Sequence, residues 1–301
     1  MNMQGSYYNK ESVFFIDGNW KNASDSKIDL LNQTLHYGYG AFEGIRAYQT
    51  PTGMSLFKAT PHYERLLNSV KTLQLQIDYT APELVEITHK LLVKNNLRNA
   101  YVRPLVFMGP NMRLTIKDKP RLMIAVWEWG SLLGKGEVNL AISSYQRPDP
   151  KSLPATAKLI GNYTNSILAG HEARQKGADE ALMLDTLGNI SQAPGSNFFL
   201  EKEGVLYTAP EGNILPGITR STVMDFAREL NFEVREEPIS VEMIHEADSA
   251  FLTGTATEIV GVNTIEGIKM KSEWKDSMGY VLAAVYQHRI KRDENQGSII
   301  V

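Results

Sequence analysis

The sequence predicts a mixed α/β (α+β) protein of two domains, and three observations carry that expectation. The chain has 301 residues, 43% of them hydrophobic, enough to bury a sizeable core and long enough for about two domains. Runs rich in β-branched and aromatic residues alternate with segments of helical periodicity. Near the middle, Gly130–Glu137 contains three glycines and two exposed-looking leucines and reads as a connection between domains. The expected division is therefore a smaller first domain over 1–129, a connection over 130–137 and a larger second domain over 138–301.

Taken in order, Ser12–Trp20 reads as a strand that enters a turn at Asp17-Gly18. Thr60-Pro61 opens a helix with Leu66, Leu67, Val70 and Leu73 on one face, proline being suited to the first turn. Thr80-Ala81-Pro82-Glu83 matches a capping box before a second helix. Tyr101–Met108 and Leu122–Trp129 read as strands. In the second half, strands are expected at Val138–Tyr145, Ala181–Leu184, Asn197–Leu200 and Ser249–Leu252, and helices at Tyr163–Lys176, Ser221–Leu230 and Glu273–Arg289. No repeat and no low-complexity stretch interrupts the pattern.

Composition excludes several functions. The net charge is -3, from 31 basic and 34 acidic residues that are intermixed, so no basic patch points to nucleic acid. With no cysteine, disulfides, thiol catalysis and cysteine-ligated metals are excluded, and no metal site is expected. The stretch MNMQGSYYNKESVFF lacks the layout of a signal peptide. No apolar run approaches the roughly 18 residues of a membrane span. The expectation is a soluble cytoplasmic protein that uses no membrane.

One lysine stands out. Lys158 lies in LPATAKLIGNYTNS (Leu153–Ser166), beside Ala157, Leu159 and Ile160, as the only charge in that stretch. Burial disfavours the ammonium form of a lysine. The neutral amine is a nucleophile that forms a Schiff base with an aldehyde, and pyridoxal 5′-phosphate (PLP) is the aldehyde cofactor that uses such a lysine. The alternative is an ammonium that snorkels to water, and the residues around Lys158 leave both open. Two loops suit the phosphate. Leu215-Pro216-Gly217-Ile218-Thr219-Arg220 leads into a helix, whose first N–H groups favour anions. Thr253-Gly254-Thr255-Ala256-Thr257 follows a strand and offers a second glycine-opened nest with hydroxyls. Taken alone, each reads more simply as a plain turn or cap, and it is the two together, downstream of one lysine, that point to a phosphate.

A cofactor ring also needs neighbours. Tyr163 lies five residues beyond Lys158, and Tyr37 and Phe42 lie in LHYGYGAFEGIR, where Gly38, Gly40 and Gly44 allow close backbone approach. Tyr101 and Arg103 share one face of a strand. The plainer reading makes the aromatics core and Arg103 part of a structural ion pair.

The motifs LHYGYGAFEGIR, YVRPLVFMG, WEWG, RPDPKSLPATAKLIGNY, LPGITRSTV and GTATEI, in that order, resemble those of the branched-chain amino acid aminotransferases. These are PLP enzymes of the class IV, fold type IV group, which also holds D-amino acid aminotransferases and aminodeoxychorismate lyases. The likeness runs from about Phe14 to beyond Glu258 and implies a role for each matching residue. Lys158 matches the Schiff-base lysine that also moves the Cα proton. Tyr163 matches the tyrosine bonded to the cofactor's phenolate oxygen. Ile218, Thr219 and Thr255 match phosphate binders, and Thr255 and Ala256 the backbone amides that take the substrate carboxylate. Phe42, Tyr37, Tyr101 and Arg103 match pocket residues. The resemblance implies transamination between leucine, isoleucine or valine and 2-oxoglutarate. It also implies a homodimer, or a higher oligomer, in which the loop around Tyr37 reaches into the partner's site.

Three positions depart from the family pattern. Where the family has an arginine on the phosphate after a phenylalanine, Phe57 is followed by Lys58, a point charge without a bidentate fork. Where the family holds the pyridine nitrogen with a glutamate, Ser191–Asn197 reads SQAPGSN, and Gln192 matches; Asp185 or Glu180 is the alternative source of charge. A tyrosine usual after the WG pair is replaced, so Leu132 or Leu133 lines that wall. Two further readings compete with the branched-chain one. The first is another class IV enzyme, a D-amino acid or amine transaminase or a lyase, and the second is a binding protein that has lost turnover.

Overall fold

The computed structural model describes residues 7–51, 53–116, 118–130 and 133–290. They form two units. One comprises the described residues of Met1–Gly130, Ala157–Gly161 and Ile290–Val301, and the other those of Ser131–Thr156 and Asn162–Arg289. Among the described residues no helix is long and apolar enough to cross a membrane.

In chain order the first unit contains β1 (Val13–Ile16), β2 (Asn19–Asn22), α1 (Gln33–Tyr37), β3 (Gly40–Phe42), β4 (Ile45–Thr50), β5 (Gly53–Leu56), α2 (Ala59–Thr72), α3 (Ala81–Lys94), β6 (Ala100–Phe107) and β7 (Arg121–Trp127). The strands form one antiparallel sheet in the order β2-β1-β7-β6-β4-β5, with β3 also paired to β6. The expected Asp17-Gly18 turn joins β1 to β2: both residues have positive φ, 49° and 82°, the twist that a two-residue hairpin requires. Helix α2 buries Tyr63, Leu66 and Val70, and α3 buries Leu84, Leu91 and Leu92, in one core with Ile45, Val102 and Ile124. Helix α2 begins at Ala59 rather than at Pro61. Proline is tolerated there because the first-turn N–H groups have no helical acceptor. The capping box holds: Thr80 accepts from Glu83 N–H, and Glu83 accepts from Thr80 N–H at 2.7 Å.

The second unit contains β8 (Glu137–Ile142), α4 (Tyr163–Gln175), β9 (Glu180–Leu184), β10 (Ile190–Gln192), β11 (Asn197–Lys202), β12 (Val205–Thr208), α5 (Ile218–Glu229), β13 (Glu233–Glu236), β14 (Ser249–Gly254), β15 (Glu258–Ile265), β16 (Ile268–Lys269) and α6 (Met278–Arg289). Its sheet runs β10-β9-β8-β15-β14-β11-β12-β13, and β10 also pairs with β11, so six strands close into a ring. Strand β8 lies parallel to both β9 and β15. The strand expected to reach Tyr145 ends at Ile142, because Ser143 and Ser144 turn to the Glu172 carboxylate. Helix α5 begins three residues before the expected Ser221, at the Gly217 cap. The expected start of α6 at Glu273 is a short 3-10 turn, Trp274–Asp276. Ser277 then accepts from Tyr280 N–H at 3.1 Å and opens the helix.

Candidate active site

The segment Ala157–Gly161 packs in the first unit, although the chain on both sides of it belongs to the second. Backbone pairing holds it there. Phe42 N–H donates to Lys158 O at 3.1 Å, Gly161 N–H to Gly38 O at 3.1 Å, and Ala41 bridges Leu159. Lys158 N–H donates to Ser69 Oγ at 3.0 Å, and that hydroxyl donates to Arg65 O at 2.8 Å. Gly38 is required here for two reasons. Its φ is +65°, and a Cβ would come within 2.9 Å of Gly161 Cα. Lys158 itself is half-buried between buried Ala157 and Leu159, and its Nζ lies 5.0 Å from the Phe42 ring centre.

The Phe42 ring is shared with Arg103, whose guanidinium carbon lies 4.8 Å from it, 5.3 Å from the Tyr101 ring and 6.0 Å from Trp127. Arg103 Nη2 donates to the Tyr101 hydroxyl at 3.3 Å, as two residues on one strand face should. A Cβ on Gly44 would overlap that hydroxyl. Trp129 closes the box, 4.7 Å from Tyr101, and Arg46 fixes the end of that strand through Trp129 O and Gly130 O at 2.8 and 2.7 Å. Arg103 Nε and Trp127 Nε1 are buried without a hydrogen-bond partner, so the box retains unused donors.

Behind Phe42 lies a cluster that the motif reading missed. Glu43 is fully buried. It accepts from Arg65 Nε at 2.6 Å, Arg65 Nη2 at 3.0 Å and His62 Nδ1 at 2.8 Å. Burial alone would raise this carboxyl, but Arg65 and His62 hold it well below the usual carboxylate range. His62, Arg65 and Ser69 lie along one stripe of α2, spaced by three and four residues.

Two further expected residues lie in this unit. Tyr37 is exposed and donates to Met112 O at 3.1 Å. Lys58 caps α2 with a left-handed backbone, φ 48°. Leu132 lies outside the described residues.

In the second unit the two candidate anion loops meet through Ser196 and Asn197. Asn197 Nδ2 donates to Leu215 O at 3.0 Å, and a Cβ on Gly217 would overlap Asn197 Oδ1. Ser196 Oγ bonds Thr257 Oγ1 at 2.7 Å, and a Cβ on Gly254 would come within 3.1 Å of Gly195 O. Ile218 and Thr219 occupy the first turn of α5, ahead of its first internal bond, Ser221 N–H to Gly217 O at 2.9 Å. Thr255 and Ala256 lie half-buried in the turn after β14, where Thr253 Oγ1 is buried without a partner.

Gln192 is buried, and its amide is fixed at both ends. Oε1 accepts from Leu215 N–H at 2.8 Å, and Nε2 donates to Ala193 O at 3.2 Å. One backbone donor and one backbone acceptor leave no freedom to exchange O and N. The alternative carboxylates are engaged elsewhere. Asp185 accepts from Leu187 N–H and Asn189 N–H, both at 2.9 Å. Glu180 accepts from Ala181 N–H at 2.9 Å and is raised by burial. Tyr163 opens α4.

The sequence model of the class IV amino-transferases matches residues 40–265. The branched-chain-amino-acid aminotransferase of Pseudomonas aeruginosa is 38% identical over 271 residues, 88% of each chain. That of Escherichia coli K12 is 37% identical over 269 residues, 87% of each. The solved Escherichia coli branched-chain amino acid aminotransferase superposes with a TM-score of 0.91 at 33% identity, covering 96% of this chain and 100% of that one. The branched-chain amino acid aminotransferase of Thermobaculum terrenum, solved in its PLP-bound holo form, gives 0.88 at 28%, covering 94% of each.

Proposed function

This chain belongs to the class IV aminotransferases, and we propose that it transfers amino groups between branched-chain L-amino acids and 2-oxoglutarate with PLP as cofactor. Leucine, isoleucine or valine gives the 2-oxo acid, and 2-oxoglutarate gives glutamate. The Arg103 box carries the reading. One pocket must accept an apolar side chain in one half-reaction and a distal carboxylate in the other. Phe42, Tyr101 and Trp127 supply apolar walls, and Arg103 supplies a cation whose Nε has no partner.

The residues fit the cofactor. Gly217 and Gly254 leave no room for a side chain beside the two loops, and the Thr253 hydroxyl is buried without a partner. Ile218, Thr219 and Thr255 would hold the phosphate, with Lys58 as a point charge. Tyr163 would take the phenolic oxygen, Gln192 the ring nitrogen, and the Thr255 and Ala256 amides the substrate carboxylate. When bound, the cofactor supplies an aldehyde for the amino group and a ring that draws off the Cα electrons. Lys158 Nζ takes the Cα proton and returns it. The Phe42 ring covers that amine on one side and keeps water from it. With Gln192 Oε1 accepting from Leu215 N–H and Nε2 donating to Ala193 O, the amide keeps one N–H to offer an unprotonated ring nitrogen and carries no charge, so it gives a weaker electron sink than a carboxylate would. Proton transfer by Lys158 then carries more of the step.

The reading includes a cytoplasmic homodimer with shared sites. The cysteine-free sequence fits a reducing compartment. Leu30, Leu31, Leu35, Tyr37, Met112 and Leu114 are exposed. The Tyr37–Met112 bond and Gln33 Nε2 to Arg113 O, at 3.1 and 2.9 Å, tie their two loops together. A second copy would cover this apolar face.

Protein loaded with PLP is expected to show an absorbance band that shifts on adding L-leucine. Lys158→Ala should lose both band and turnover, and mixing it with a Tyr37→Ala chain should restore part of the activity through subunit exchange. A reducible adduct at another lysine would sink the Lys158 assignment. The fixed Gln192 amide favours a second reading, another class IV enzyme. A band that ignores L-leucine but responds to D-leucine or a simple amine would select it, and a band that no amine alters would mark a binding protein.

A further inference from the structure

Lys158 is the middle residue of a three-residue turn. Leu159 N–H folds back to Ala157 O at 3.1 Å, and Lys158 does not have a positive φ, so the turn is of the inverse γ kind. The turn occupies Leu159 N–H and Ala157 O with each other. The polar groups of Lys158 itself are taken by two other elements. Its carbonyl accepts from Phe42 N–H at 3.1 Å. Its N–H donates to the Ser69 hydroxyl at 3.0 Å, across 89 positions of sequence. Ala157 and Leu159 are buried on either side, where a peptide group needs a protein partner.

The Ser69 hydroxyl has one proton, and it goes to Arg65 O at 2.8 Å. A lone pair is then what faces Lys158 N–H. Ser69 is 1% exposed. The bonds close on themselves. From Ser69 the circuit passes back along α2 to the Arg65 guanidinium and crosses to the Glu43 carboxylate at 2.6 and 3.0 Å. It then steps one residue back to Phe42 and returns through Phe42 N–H to Lys158 O. His62 braces it at Glu43 with a 2.8 Å bond. Every member lies in the first unit. Thr72, Thr88 and Thr222 also bond back by four residues in their helices, so that bond alone is ordinary. At Ser69 it turns a lone pair toward the root of the one lysine singled out by the motifs.

We infer that Ser69 is a positioning residue for Lys158, its hydroxyl holding the turn from which the amine projects. Resting on the proposed PLP chemistry, this adds one residue to it. A lysine amine rides on a long flexible stem, so the region it sweeps is set by where its Cα is rooted. The Phe42 ring, 5.0 Å from Nζ, is fixed by the same circuit, and the amine and the ring that covers it therefore keep one spacing. Without the hydroxyl, Lys158 N–H loses its acceptor. Its peptide then turns toward another and carries Cα with it. A displacement of about 1 Å at a reacting group costs on the order of a hundredfold in rate.

Ser69→Ala tests this through two forms of the cofactor. PLP is held by its phosphate, by its ring and by a bond to the Lys158 amine. Pyridoxamine 5′-phosphate offers the same phosphate and ring but has an amine in place of the aldehyde, so it makes no bond to Lys158. The Ser69→Ala protein should bind PLP about tenfold or more weakly and pyridoxamine 5′-phosphate within about twofold of wild type. With L-leucine, kcat should fall by a similar factor while KM changes little, because the Arg103 box is untouched. In a Lys158→Ala background the backbone bond to Ser69 remains but the amine is gone, and there Ser69→Ala should no longer alter PLP affinity. Equal losses for the two cofactor forms overturn the inference, since the hydroxyl would then be serving the fold. So does an undiminished PLP affinity, or a loss that survives in the Lys158→Ala background. Where Ser69→Ala fails to fold, Ser69→Cys, of similar volume but only a weak acceptor, takes its place, and failure of both to fold also overturns the inference. Failure of the underlying reading looks different: wild-type protein would show no cofactor band and no reducible adduct at Lys158.

Discussion

Glu43 in the first unit and Arg147 in the second are both buried charges, each beside candidate residues of its own unit, and their surroundings differ. Glu43 has no exposed surface, yet Arg65 and His62 satisfy both carboxylate oxygens at 2.6 to 3.0 Å, and Gly44 N–H adds a longer contact at 3.2 Å. Arg147, in the loop that Asn165 Nδ2 ties to the first turn of α4 through Gln146 O, is nearly as buried, but its Nε has no partner. The first arrangement is complete within the chain. It ties Phe42 to α2, and the same helix reaches Lys158 through Ser69. The second is complete only with something added. A buried ion that is fully paired belongs to the scaffold, whereas one left unpaired points to a ligand.

The comparison breaks first at Glu43. Glu43→Ala leaves Arg65 and His62 without their acceptor, and removing one partner of a buried pair costs about 3–5 kcal/mol. Chemical denaturation followed through Trp127 and Trp129 should show a loss of that size, against none for Arg147→Met, which removes an unpaired buried cation. A loss below about 1 kcal/mol would mean that water enters and replaces the pair. The cluster also sets an acid limit. His62 is lowered from 6.5 by burial, partly offset by Glu43, so below about pH 6.5 the unfolded chain takes a proton that the folded one refuses. Glu43 is held below its ordinary 4.5, and its stabilisation is present above that value and lost as pH falls below it. Each proton changes stability by at most about 1.4 kcal/mol per pH unit. The denaturation midpoint should therefore fall with acidification from about pH 6.5 and more steeply below about 4.5. A midpoint that is level down to pH 5 would contradict a neutral buried His62.

Gln192 lies between these cases, satisfied at both ends but with one donor hydrogen unused. Gln192→Glu keeps the bond from Leu215 N–H and sets a carboxylate oxygen where Nε2 meets Ala193 O at 3.2 Å. In the cofactor-free protein this should cost about 1–3 kcal/mol, one lost hydrogen bond to a buried acceptor. Loaded with PLP, the carboxylate can instead face a protonated ring nitrogen, so the cost should shrink and the cofactor's spectrum should change. Equal losses with and without PLP would place Gln192 away from the ring.

Much of this was legible in local sequence. The Asp17-Gly18 hairpin, the Thr80–Glu83 box and the starts of α4 and β11 depend on residues a few positions apart, and the motifs identified the residues around Lys158 and Arg103. What escaped depends on distant pairing. Nothing in LPATAKLIGNY shows that Ala157–Gly161 leaves the second half of the chain to bond Gly38 and Phe42. Glu43 reads as one letter of a glycine-rich loop until His62 and Arg65 come round on α2. Arg147, between Gln146 and Pro148, has the look of an exposed loop residue. Its burial follows from Asn165 and Leu184, which bond Gln146 and Arg147, and neither of which the local sequence can place. Strand β15 interrupts its apolar residues with Gly261, Asn263 and Thr264 and so lacks a clean alternation, yet it is central to the sheet.

The smallest expected effect sharpens the comparison from the solvent side. Thr80 and Glu83 share three hydrogen bonds, at 2.7, 2.7 and 3.4 Å, as many as Glu43 receives from Arg65 and His62. The cap is exposed, so water can replace the two bonds of the hydroxyl when it is removed, while the Thr80 N–H still donates to Glu83 and the α3 N–H groups remain solvated. Thr80→Ala should therefore cost about 1 kcal/mol, the usual size for a lost N-cap, several-fold less than Glu43→Ala, although it removes two bonds where Glu43→Ala removes the three from Arg65 and His62. The two variants are to be measured in one denaturant series with the slope checked for constancy. If Thr80→Ala costs as much as Glu43→Ala, burial does not set the energy. The distinction drawn between Glu43 and Arg147 would then lose its physical basis, since it depends on how much an ion suffers when water is excluded.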